Sequence, residues 1–329
     1  MTQRDQTIGV SQETIRKMLS KTLDKVDLSG LGALYRGKVR DCYVQGQRRY
    51  LIVTDRVSAF DVVLGTVPFK GQVLNAMSVH WFELTKDIAP NHLIDLPDPN
   101  VLVAHECRPL PAEMVMRGYL TGSSETSIWR AYETGHRTFC GHTLPDGMKK
   151  HQKLEKPLLT PSTKAEHGDH DRSVSKDELL AMGQITPEQF EVMSRYAHDL
   201  FAFGQEEAAR RGLILVDTKY EFGVAPNGEI VLIDEVHTPD SSRYWYADDY
   251  EERFSKGQDP RSLDKEYLRR YLRDELGFTG HGEPPALPDE VVVEAASRYL
   301  NLYHEVTGKT LTPDTSDPLP RIREHLQLG

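Results

Sequence analysis

LILVDTKYEFGVAPNGEIVLIDE, residues 213–235, is the stretch whose reading decides the fold. Two β-rich runs flank Ala225-Pro226-Asn227-Gly228, a turn by composition. If that turn spans all four residues, Val224 pairs with Glu229. Tyr220, Phe222, Val224, Val231 and Ile233 then share one apolar face suited to a core. The opposite face carries Asp217, Lys219, Glu221 and Asp234, with Lys219 across from Asp234 and Glu221 on its diagonal. Diagonal cross-strand positions lie about 7–8 Å apart, within reach of two carboxylates sharing one ion. Hard oxygen donors suit Mg²⁺, so Glu221 and Asp234 are the metal candidates. The competing reading is a solvated polar face with a Lys219–Asp234 surface pair. A register change of one residue would send the two carboxylates to opposite faces. The next segment, VHTPDSSRYW, adds Asp240, Ser241, Ser242 and Arg243 just past the strand end, where loops tend to carry function.

Working outward, residues 11–26 show helical periodicity behind a Ser11 N-cap. LYRGKVRDCYVQGQRRYLIVTD (34–55) reads as a hairpin about Gln45-Gly46-Gln47. Helices are expected over 70–88, 123–132, 186–210, 262–276 and 288–306, with Gly212, Gly277 and Gly308 past three of the ends. Strands are expected at 101–104 and 113–119. The polar stretch 134–173 reads as mobile surface loop, and GFTGHGEPPALP (277–288) as a linker. The resulting division is 1–112, 113–261 and a helical 262–329.

Forty basic against fifty acidic residues leave a net charge of −10, which disfavours nucleic acid as a partner. Anionic small-molecule substrates would need a local basic cluster against that field. The opening MTQRDQTIGV has no apolar signal core and no stretch approaches a membrane span, so a soluble, cytoplasmic chain is expected. Cys42, Cys107 and Cys140 form no CxxC pair, which fits a reducing compartment. In Arg36-Gly37-Lys38-Val39-Arg40, the cations Lys38 and Arg40 follow Gly37 at i and i+2 and would project together from a strand toward one polyphosphate. This is not a P-loop, and solvated strand residues are the competing reading. Arg117 and Ser123 bracket a Gly-Ser turn ahead of a helix start, suited to carboxylate or phosphate. Thr160–Glu166 places Lys164 on a loop with hydroxyls. His167, Asp169, His170 and Asp171 read as hydrated loop rather than metal cluster. No GxSxG or other nucleophile signature is present.

GKVRDCY, TDRVSAFDVVL, MRGYLTGS, LLTPSTKAE, LVDTKYEFG and LIDEVHTPDSSRYW, in this order from about Leu34 to Leu272, resemble the segments that mark SAICAR synthetases. The resemblance implies an α+β fold of two lobes around a nucleotide cleft, loosely ATP-grasp- or kinase-like, with a helical C-terminal part. It implies that ATP, L-aspartate and a carboxylated aminoimidazole ribonucleotide yield a succinocarboxamide, ADP and phosphate, with the chain a monomer or homodimer. By matching position, Gly37, Lys38 and Arg40 would meet ATP phosphates, and Glu221 and Asp234 would hold Mg²⁺. Arg117, Ser123, Ser242 and Arg243 would bind the ribonucleotide, with Ser58, Asp61 and Lys164 on the substrate side. Lys219 would sit beside the reacting carboxylate, and Asp217 could assist loss of a proton from the amine. SETSIWRAYETGHRTFCGHTLPDG, after TGS, is longer than in compact bacterial forms. A small-molecule kinase, or a nucleotide sensor without turnover, are the alternatives.

Overall fold

The computed structural model describes residues 9–60, 62–124, 126–164, 172–263 and 266–328. Its contacts separate two units. One holds the residues up to Phe82, Leu93–Glu106 and those after Leu263; the other holds Glu83–His92 and Cys107–Leu263. The helical C-terminal residues thus belong with the N-terminal strands, giving two units where the sequence spacing suggested three parts.

In the first unit, strands β1 (Ala33–Arg36), β2 (Arg40–Gln45) and β3 (Arg48–Val53) run as consecutive hairpins. With β4 (Arg56–Ala59) and β5 (Val62–Thr66) forming a separate hairpin, β6 (Leu93–Asp98) and β7 (Val101–His105) complete an antiparallel sheet of order β1-β2-β3-β7-β6. Leu28, Tyr43, Tyr50, Ile52, Val101 and Val103 pack beneath Ile322 of the terminal helix Pro318–His325. The first helix covers only Gln12–Met18 rather than the whole periodic stretch. Tertiary hydrogen bonds explain the early end: the N–H groups of Leu23 and Val26 go to the buried carboxylates of Asp55 and Asp41 at 2.8 and 3.1 Å. Helix Lys70–Thr85 and helix Asp289–Thr307, stopped by Gly308 in the left-handed region at φ 69°, agree with the periodicity.

In the second unit, β8 (Arg108–Leu120) is followed by a short pair, β9 (Thr138–Phe139) and β10 (His142–Thr143). Next come β11 (Gln152–Leu159), β12 (Ser162–Thr163), β13 (Leu213–Val224), β14 (Ile230–Ile233) and β15 (Ser242–Tyr246). The main sheet has the order β11-β8-β13-β14, with β12 on β8 and β15 on β13. Helix Pro187–Ala209 starts with a Thr186–Gln189 capping box and buries Phe190, Met193, Ala197, Leu200 and Phe201. It lies against β13 and β8, with Tyr196 stacked on Phe222. Gly204 permits the approach, since a Cβ there would sit 2.4 Å from His237.

Three expectations are corrected here. The stretch 134–173 is not surface loop in its described part: β9 to β12 lie in it, and Leu144 and Leu154 are buried with Leu120, Ile128 and Tyr132. Its apolar residues follow no local period, and pairing with β8 supplies the order. The helix after Ser123 is also shorter, Ile128–Glu133, capped by Ser127.

The third correction is the hairpin register. Glu221 faces Ile233 and Val224 faces Ile230, one step from the expected pairing. The N–H of Ala225 donates to the Glu229 carbonyl at 2.8 Å, so the loop is the three residues Pro226-Asn227-Gly228. Gly228 takes the left-handed conformation at φ 87° that closes a three-residue loop. Leu232, rather than Val231 and Ile233, therefore shares the core face with Tyr220 and Phe222. Lys219 does not stand opposite Asp234. Strand β14 ends at Ile233, and Asp234 turns off the pleat with φ 71°.

Candidate active site

Alternation along β13 sends Tyr220 and Phe222 into the helix-covered core and Asp217, Lys219 and Glu221 to the other face. The neighbouring strands fill that face. Across β8, Arg117 stands opposite Asp217 and Glu113 opposite Glu221, while β15 places Arg243 opposite Asp217 from the other side. Six charged side chains from three strands thus share one surface of one sheet.

Glu113 and Glu221 face each other directly, an arrangement that repels unless cations intervene. Lys219 supplies one, donating to Glu113 at 2.5 Å and to Glu221 at 3.1 Å. Lys164, from the segment after β12, donates to the other oxygen of Glu221. Burial works against ionising Glu221, but the charges and hydrogen bonds of Lys219 and Lys164 win and bring its pKa down to about 2. Burial likewise opposes the Lys219 charge, and Glu221, Glu113 and Glu235 overcome it, raising its pKa above the usual lysine value. Both groups are ionised at neutral pH.

At the other end of the face Asp217 lies between two guanidiniums and accepts from Arg243 at 3.2 Å. Arg117 donates from Nε to Thr160 at 2.8 Å and lies over the Phe139 ring. Desolvation lowers its pKa, with Arg243 adding to that and Asp217 opposing it. Two planar guanidiniums, one held by Asp217 and the other by Thr160, offer a fork geometry suited to phosphate or carboxylate.

In the first unit, the turn between β1 and β2 holds Gly37 and Lys38, and Arg40 is the first residue of β2. The Gly37 N–H closes it on the Arg40 carbonyl at 2.8 Å. Lys38 lies in this turn rather than in a strand, so the strand-pleat argument for the two cations is replaced by a turn that presents Lys38 at the surface beside the start of β2. Ser58 lies in the β4–β5 hairpin, half-buried, next to Phe60 at φ 52°. Asp61 falls outside the described residues, as do His167, Asp169, His170 and Asp171.

Among the expected site residues, the structure brings together Asp217, Lys219, Glu221, Arg117, Arg243 and Lys164. It does not bring Ser242 to that face: the residue alternates to the other side, where its hydroxyl lies 2.7 Å from that of Thr218. Ser123 is exposed beyond the end of β8. Glu113 and Glu235 were missed. Glu113 sits in a run that reads locally as an ordinary strand, and only its pairing with Glu221 marks it. Glu235 adjoins the acidic hairpin in sequence and could have been included.

Among the described residues no group of three or more His, Cys, Asp or Glu side chains is arranged as a metal site. The donor chemistry nonetheless fits a hard divalent cation. Glu221 is held ionised, and its oxygens are already matched to positive charge, here supplied by two ammonium groups. Asp234, off the pleat, is not bound by the face assignment of a regular strand.

The SAICAR synthetase family model matches residues 33–284. A phosphoribosylaminoimidazole-succinocarboxamide synthase of Legionella pneumophila (strain Lens) is 50% identical over 305 residues, covering 90% of this chain and 95% of its own. A chloroplastic enzyme of the same name from Arabidopsis thaliana is 47% identical over 308 residues, covering 94% of this chain and 74% of its own. Among solved structures, the SAICAR synthase from Saccharomyces cerevisiae, described as complexed with SAICAR, superposes with a TM-score of 0.76 at 29% identity, over 89% of this chain and all of that one. The chain belongs to the SAICAR synthetase family.

Proposed function

We propose that the chain joins the amine of L-aspartate to the carboxylate of carboxyaminoimidazole ribonucleotide, cleaving ATP to ADP and phosphate, as a ligase of purine biosynthesis. The observation that carries this reading is the convergence of Glu113, Lys219, Glu221, Lys164, Asp217, Arg117 and Arg243 on one sheet face, in a chain half identical to a named synthase of this reaction.

A carboxylate resists attack by an amine because its oxygen leaves poorly. Transfer of the ATP γ-phosphoryl group to that carboxylate gives an acyl phosphate, from which phosphate departs when the amine attacks. The first step needs positioning and charge neutralisation more than covalent help. Arg243, oriented by Asp217, and Arg117, oriented by Thr160, hold the anionic ribonucleotide. Lys219, kept protonated by its glutamates, offers fixed positive charge beside the reacting carboxylate. Lys38 and Arg40, on the turn closed by Gly37, meet the ATP phosphates, while Ser58, Asp61, Ser123 and Lys164 serve the substrate side. Asp217 acts by orienting the Arg243 guanidinium, and the amine proton leaves to solvent or to phosphate. Glu221 and Asp234 would hold Mg²⁺, which when bound neutralises charge on phosphoryl oxygens. No helix among the described residues is long and apolar enough to cross a membrane, in keeping with a cytoplasmic site of action.

A coupled ADP-release assay with each substrate omitted in turn tests the reading. Sustained ADP formation should need ATP, the ribonucleotide and aspartate together. Undiminished turnover without aspartate would make the chain a kinase instead.

A further inference from the structure

Arg56 has no role in the chemistry above, yet its buried side chain grips two successive carbonyls of one turn. Its Nε donates to the Lys38 carbonyl at 2.9 Å and its Nη2 to the Gly37 carbonyl at 3.0 Å. Nη2 also donates to the buried Asp41 carboxylate at 2.7 Å, and Nη1 reaches the Asp24 carbonyl. Thr54 takes the next carbonyl, that of Val39, through its N–H at 3.1 Å and its hydroxyl at 2.7 Å. The Arg40 carbonyl is taken by the Gly37 N–H. The carbonyls of Gly37, Lys38 and Val39 are thereby drawn inward onto donors, and that of Arg40 closes the turn.

In a trans peptide the C=O of one residue and the N–H of the next point in opposite directions. Binding the Gly37 and Lys38 carbonyls to Arg56 therefore turns the N–H groups of Lys38 and Val39 away from the guanidinium, to the outer side of the turn. Successive outward amides make an anion-binding concavity, and inward-facing carbonyls remove the partial negative charges that would oppose an anion there. We infer that Arg56, locked by Asp41, is a positioning residue that orients the Gly37–Arg40 backbone toward the ATP polyphosphate. The inference rests on the reading of this turn as the phosphate-binding element. Lysine at position 56 would keep the charge but not the planar fork that serves the two adjacent carbonyls and a carboxylate together.

The test compares KM for ATP, KM for aspartate and kcat in the full chain for Arg56→Lys, Arg56→Ala, Thr54→Val and Lys38→Ala. Arg56→Lys and Arg56→Ala should raise the ATP KM about tenfold or more, with kcat and the aspartate KM within about twofold. Millimolar guanidinium should return the ATP KM of Arg56→Ala toward the parent value. Thr54→Val, which leaves the ion pair in place, should raise the ATP KM about threefold and serves if the Arg56 variants do not fold. A role in folding alone would lower the melting temperature and leave the ATP KM of these variants unchanged, which overturns the inference. If Lys38→Ala raises the ATP KM and the Arg56 and Thr54 variants do not, the inference alone falls. If Lys38→Ala has no effect on it either, the phosphate-binding reading of the turn falls as well.

Discussion

The two units each carry a network of opposite charges, and the two are built differently. In the first, the side chains of Asp41 and Arg56 are 0% and 6% exposed, and every contact of the guanidinium goes to a protein oxygen. In the second, Lys219 and Lys164 remain 32% and 44% exposed while the carboxylates they bind are nearly covered. A fully desolvated and fully hydrogen-bonded pair holds geometry, because removing either partner strands a buried charge. A cluster whose cations still reach water can exchange them for a metal ion or a substrate. By that difference the first network reads as scaffold and the second as the place for the proposed chemistry.

Replacement of each kind of charge should sharpen that contrast. Asp41→Ala leaves Arg56 buried and unpaired, and should cost about 3–5 kcal/mol of folding stability in urea denaturation, the largest effect expected. A loss below about 1 kcal/mol would mean that the pair is not the scaffold it resembles. Glu221→Gln should do the reverse, lowering kcat by about a thousandfold, or about 4 kcal/mol of transition-state stabilisation, with the fold retained by circular dichroism. Near-normal turnover of this variant would remove Glu221 from the chemistry.

The acidic limb of stability separates the networks by pH. Glu221 has a folded pKa of about 2 against an ordinary 4.5. Its contribution is therefore complete above pH 4.5 and lost as pH falls toward 2. It amounts to at most about 3 kcal/mol. Urea midpoints should fall less steeply over that window in Glu221→Gln than in the parent chain. Equal slopes would show that Lys219 and Lys164 do not stabilise the ionised form. The smallest effect belongs to Gly228→Ala, where a Cβ meets nothing within 4 Å and only the left-handed backbone is strained. A loss of about 1 kcal/mol with unchanged turnover is expected. A large loss of turnover would mean that the hairpin loop sets the geometry of the charged face more tightly than its register indicates.

Local signals carried most of the elements and much of the site. Thr186 and Gln189 announce the helix they cap, Gly212 and Gly308 follow their helices, and Gly46-Gln47, within the expected turn, separates β2 from β3. The alternation of Asp217, Lys219 and Glu221 placed three charges on one face whatever the register with β14. Failures came where a distant group decided the outcome. The first helix stops at Met18 because Asp41 and Asp55 claim the amides that follow. Val231 and Ile233 changed faces because Gly228 closed a three-residue loop, a choice of one residue that composition does not make.

From the amino-acid order alone came the α+β class, the family resemblance and the residue types that handle phosphate and carboxylate. These depend on side-chain chemistry and on periods a few residues long. Tertiary structure alone decided that Glu113 stands against Glu221, that Ser242 turns from the charged face, and that Arg56 grips the turn from Gly37 to Arg40. Each of these joins groups 15 or more residues apart in the chain. Such pairing is set by the shape and hydrogen-bond balance of the whole unit, which no local pattern contains.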